Sequence, residues 1–134
     1  MTTSASAESK LATVLKIQAV VLFFGLPLMV FVLRFPGWPW NPSHHKYEYM
    51  IVATYMALGI FLWKAAASPL QHALFYDFVI WGAYGAHATV MLIETFMEFG
   101  TEWQHIMPYG DVPALYIFAI MLWYYKRQAG LKSE

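Results

Sequence analysis

Residues 70–97 read LQHALFYDFVIWGAYGAHATVMLIETFM, twenty-eight positions with no proline and few charges. At about 1.5 Å per residue a helix of that length spans about 42 Å, against a bilayer hydrocarbon core of about 30 Å. The stretch therefore reads as a transmembrane helix that tilts or protrudes. Within its apolar length lie Asp77, His87 and Glu94. Titratable groups inside a bilayer are costly to hold there, which makes each a candidate for function. His87 falls nearest the middle, Asp77 toward one end and Glu94 near the other.

The rest of the chain fits the same solvent. Of its 134 residues, 60% are hydrophobic and 12% charged. A soluble domain carries about 25% charged residues, and a chain this short buries too small a fraction of its surface to hide so much apolar area from water. The formal net charge is zero, so no global basic surface points to nucleic acid. The absence of cysteine excludes disulfides, thiol catalysis and cysteine-ligated metals.

Outward from residues 70–97, three further runs read as transmembrane helices, over about 11–33, 47–67 and 111–128. The expected fold class is all-α, a polytopic bundle of four transmembrane helices in one domain over 11–131, with a flexible N-terminal tail at 1–10 and a short tail at 132–134. The first run is longer than a signal-peptide core and lacks an A-x-A-like site after it. Gly25 and Pro27 inside it predict a kink. Residues 34–46, RFPGWPWNPSHHK, hold three prolines and two tryptophans, which forbids regular helix and suits the headgroup layer. Ser68-Pro69 closes the second run. The fourth is short, and Lys126 and Arg127 are expected to snorkel to the surface. Trp81, near mid-membrane, is expected to need a partner for its N–H on another helix. Six of the eight Lys and Arg side chains lie on the side of the termini and the 68–69 turn, and only Arg34 and Lys46 on the other. The expected topology therefore has both termini in the cytoplasm.

Two groups of side chains could carry chemistry. Tyr84, His87, Met91 and Glu94 share one helical stripe, with Asp77 off it. They are either hydrogen-bonded packing contacts between helices, or His87 serves as a ligand, metal or proton-transfer group with Tyr84 and Met91 beside it. The surrounding GAYGAHAT (82–89) is rich in small residues that let another surface approach. Ala83, four residues before His87, leaves room for a tetrapyrrole ring over the imidazole, the spacing with which light-harvesting polypeptides ligate bacteriochlorophyll. The second group is His44, His45 and Glu48, with Glu94 on the same side of the membrane. Imidazole and carboxylate suit zinc, copper or iron, while the alternative is a solvated rim whose charges are worth little. No phosphate loop, H-E-x-x-H or G-x-S-x-G occurs.

Three stretches, HHKYEYMIVATYMALGIFLW (44–63), SPLQHALFYDFVIWGAYGAHATVM (68–91) and GDVPAL (110–115), resemble an uncharacterised bacterial family of small four-helix integral membrane proteins known only as a domain of unknown function. The more specific marks are His72 after the proline turn, His87 with Met91, and the GDVPAL start of the last helix. The resemblance implies the fold and a place in the bacterial inner membrane, and supplies no activity. It also implies an uncharged residue where Glu94 stands.

The leading functional expectation is a non-catalytic subunit or binding module of a membrane assembly, in contact with lipid and with copies of itself or other membrane proteins. The alternatives are a small cofactor protein or enzyme that holds a metal or tetrapyrrole through His87, and a small transporter in which His87 titrates.

Overall fold

The computed structural model of the protein describes residues 2–39, 45–97 and 103–132. It folds as four helices joined by turns, and among the described residues there is no strand. The first helix runs over 2–32, the second over His45–Ala65, the third over 73–97 and the fourth over Asp111–Gln128. The fourth has the bounds expected from its sequence. The first begins at Thr2, so residues 2–10, expected as a tail, extend the helix instead. Their polarity marks them as poor membrane residues, but they contain no proline or glycine to stop helical winding. Thr13 also ties that turn down by donating its hydroxyl to the Ser9 carbonyl.

Among the described residues two stretches, Ala5–Val32 and Trp103–Gln128, are long and apolar enough to cross a membrane by length and composition. The sequence expectation was four. The second and third helices fall outside that measure, and both carry polar side chains on the face turned toward the bundle interior, among them Glu48 and His87.

The kink expected at Gly25 and Pro27 takes a specific form. Widened π turns at Val21–Gly25 and Leu28–Val32 bracket Leu26 and Pro27. Proline has no N–H for the helical ladder and its ring crowds the carbonyl one turn back, and π turns are a usual way of absorbing such a defect. A longer π segment, Phe78–Ala86, interrupts the third helix. An α-helical wheel drawn through it loses phase, and this is why Asp77, off the stripe on paper, turns inward.

The helices are arranged as an incomplete ring. The second packs on the first, the first on the fourth and the fourth on the third, while the second and third make little backbone contact. Gly59 lets the first two helices close up, since a Cβ there would stand 2.9 Å from the Ala19 carbonyl oxygen. Leu11, Leu15, Leu22, Leu62, Val79 and Leu122 form the centre of the main core with Tyr55, Tyr76 and Tyr84.

Polar groups are buried with partners. Gln18, with no exposed surface, donates its side-chain amide to the Phe118 carbonyl at 2.9 Å and accepts from the Tyr84 hydroxyl at 3.2 Å. Lys126, expected to snorkel, is 1% exposed and pairs with Asp77 at 2.5 Å. An inward carboxylate offers that ammonium a charged partner inside the bundle, which outweighs the reach to the surface. Trp81, by contrast, points outward and is 66% exposed.

At the opposite end two turns interlock. The Asp111 N–H donates to the Gly37 carbonyl at 3.1 Å, and the Trp38 indole N–H donates to the Tyr109 carbonyl at 2.8 Å. Gly37 has φ +80° and lies so near the backbone of Gln104 that a Cβ would stand 2.5 Å from its carbonyl oxygen. Only glycine meets both demands.

Candidate functional site

The gap in the ring is a cavity of about 690 Å³. Each helix contributes a wall. Leu22, Leu26 and Val30 come from the first, and Glu48, Val52 and Tyr55 from the second. The third contributes Gly82, Ala86, His87, Met91 and Glu94, and the fourth Asp111, Leu115 and Phe118. Trp38 closes the end nearest the interlocked turns. The widened turns of the first and third helices both border the cavity, through Val21 and Leu22 on one side and Gly82 and Ala86 on the other. Helical windings of this kind are often found at functional sites.

His87 and Met91 lie one α-turn apart on the cavity wall, as their spacing predicts, because the helix is regular α from His87 to Met97. His87 is half-buried and meets the Tyr55 ring edge-on, with centroids 5.3 Å apart. Tyr84 does not line the cavity. It is fully buried behind it, parallel to Tyr55 with ring centroids 6.4 Å apart, and anchored to Gln18. Tyr55 also donates its hydroxyl to the Ala83 carbonyl across the seam between the second and third helices. Thus an aromatic side chain stands beside Ala83 and His87, where the sequence suggested an open slot for a tetrapyrrole face.

Of the residues grouped as metal ligands, Glu48 and Glu94 reach the cavity wall. Glu48 is buried and Glu94 exposed at the rim. His44 and the side chain of His45 lie outside the described residues, as do Glu98 and Glu102. Among the described residues no three His, Asp or Glu side chains gather closely enough to hold a metal ion. His105 and Asp111 form a buried pair at 2.8 Å, which joins the turn before the fourth helix to that helix's first residue.

Several contributors to the site escape sequence reasoning. Tyr55 is one tyrosine among many in an apolar run, and nothing local marks it. Gln18 did leave a signal, because it falls at helical spacing with Leu11, Leu15 and Leu22 on the apolar stripe of a largely apolar run.

A family model matches residues 5–134, nearly the whole chain. The chain belongs to DUF6632, a family of unknown function. No curated protein and no solved structure matches it. Membership in DUF6632 carries no activity with it.

Proposed function

We propose that the protein is a four-span integral membrane protein of the cytoplasmic membrane, both termini inside, which acts as a non-catalytic binding module for a small amphipathic molecule. The membrane reading is supported by a surface more apolar than a soluble monomer tolerates. Phe24 and Phe31 of the first helix, Ile60 and Phe61 of the second, Leu74 and Phe78 of the third and Ile117 and Ile120 of the fourth all face outward, and Met97 is 79% exposed. Gln18, Glu48, Thr95, Asp111 and Lys126 are meanwhile buried. Outward apolar faces on all four helices, including the two with lower hydropathy, are what lipid requires. Topology is open to a direct check, because the chain has no cysteine to remove. Single cysteines at Tyr109 and Lys132 should react with an impermeant thiol reagent from opposite faces of the membrane.

The observation that carries the binding reading is the 690 Å³ cavity, a size within the range of about 300–1,000 Å³ typical of small-molecule sites. Its walls are mainly apolar with a few convergent polar groups, and it opens sideways. Tyr47 and Ile51 on the second helix and Ala86 and Val90 on the third line it and are also exposed. A ligand can therefore enter from the lipid. Native mass spectrometry of the protein released gently from its own membrane should show a bound small molecule. The Ala86→Trp variant, with a bulky ring at that opening, should lose it while keeping its fold. A wild-type protein that carries neither small molecule nor lipid in the cavity, and that binds no added amphiphile, would remove this reading in favour of a purely structural subunit.

A further inference from the structure

The binding reading leaves the chemical class of the ligand open, and the charge and aromatic content of the cavity narrow it. Glu48, Glu94 and Asp111 line the cavity, and among the described residues no lysine or arginine does. Among the described residues the imidazole on the wall is that of His87, and His105 stands behind Asp111 as its partner. The buried cation of the bundle, Lys126, is engaged with Asp77 and does not line the cavity. A carboxylate or phosphate head would therefore meet no lysine or arginine among the described lining residues, in surroundings where an unmatched charge is expensive. The walls also present aromatic rings, from Trp38, Tyr47, Tyr55 and Phe118. Ring faces attract cations, most strongly where water is scarce. Apolar bulk, π faces, carboxyl groups and the lack of a basic side chain together complement one kind of molecule.

We infer that the cavity takes a lipophilic organic cation, an alkyl- or arylammonium or its analogue, which slides in between the second and third helices and places its charge near Glu94 at the rim. Glu94 is exposed there while the apolar walls lie deeper, so the cation can keep contact with the headgroup layer as its body leaves the lipid. The inference rests on the binding reading and extends it to a ligand class.

Tetraphenylphosphonium and tetraphenylborate have nearly the same size and shape and opposite charge, and together they test it. Equilibrium dialysis of the full-length protein in an uncharged detergent, with empty micelles subtracted, should show the phosphonium bound at least about tenfold more tightly than the borate. Glu94→Gln should weaken the phosphonium about tenfold and leave the borate unchanged, and Glu94→Asp, which keeps the carboxyl, should retain most of the preference. Ala86→Trp should abolish saturable binding of the phosphonium. Equal binding of the two ions, or tighter binding of the borate, would overturn the cationic ligand. So would the binding of neither ion to a protein that still carries its native small molecule, and in that case the binding module itself survives. Binding of neither ion, with no native small molecule, overturns both readings.

Discussion

The two ends of this bundle fill the space around their polar side chains in opposite ways. At the end that holds the termini, each buried polar group is given a partner and the space between helices is filled: Gln18 is shared between Tyr84 and the Phe118 carbonyl, Asp77 is matched to Lys126, and Leu15, Leu62 and Leu122 pack around them. At the end that holds the interlocked turns, Glu48, Glu94, Asp111 and His87 border a void, with Asp111 held from behind by His105. The same four helices thus make a closed core and an open site. The first end shows what this sequence does when it needs only to fold, so the second shows a departure that folding alone does not require.

The largest effect is expected where the closed end is broken. Lys126→Met leaves the Asp77 carboxylate buried without its ammonium, and loss of one partner of a buried pair costs about 3–5 kcal/mol. Thermal or denaturant unfolding in detergent should show a deep loss of stability, and an unchanged midpoint would mean that the pair contributes nothing to the fold. The next test sets the ends against each other on a single helix. Ala119 is in the core and Ala114 lines the cavity. Ala119→Phe should overpack and destabilise by about 1–3 kcal/mol. Ala114→Phe should cost about 0.5 kcal/mol or less, because its ring has space to enter. Equal penalties at the two sites would erase the distinction between a filled and an open end.

Smaller still is Tyr55→Phe, which removes the hydroxyl donated to Ala83 and should cost about 0.5–1.5 kcal/mol. Its sharper readout is local: thiol labelling of a cysteine placed at Val90, on the seam, should speed up in the Phe variant. Glu94→Gln should be the mildest, within about 0.5 kcal/mol of the parent. A large loss of stability there would make Glu94 a structural group and not part of an open site.

The sequence made the helices legible to different degrees. The bounds of the fourth could be read because Gly110 and Asp111 mark its start and cations its finish. Residues 2–10 misled because small polar side chains report where an apolar run ends, and a helix can continue past that point. His87 and Met91 were readable as neighbours because the winding between them is regular. Asp77 was not, since the π segment at Phe78–Ala86 shifts the register and no residue pattern announces it. Lys126 followed the rule for cations near a membrane surface until a carboxylate on another helix, forty-nine positions away in sequence, offered a better partner. The cavity itself had no sequence signature. A void is made by what four separate segments fail to fill, and each of those segments reads locally as an ordinary apolar helix.

The second helix is hung from the bundle along one edge. Gly59 seats it against the backbone of the first helix, while toward the third it reaches across with the Tyr55 hydroxyl. It is built like a door, with the hinge at a close backbone contact and the latch at one hydroxyl. A single neutral hydrogen bond is worth about 0.5–1.5 kcal/mol, about one to three times thermal energy. The door can therefore be opened along its seam while the paired core at the other end stays shut.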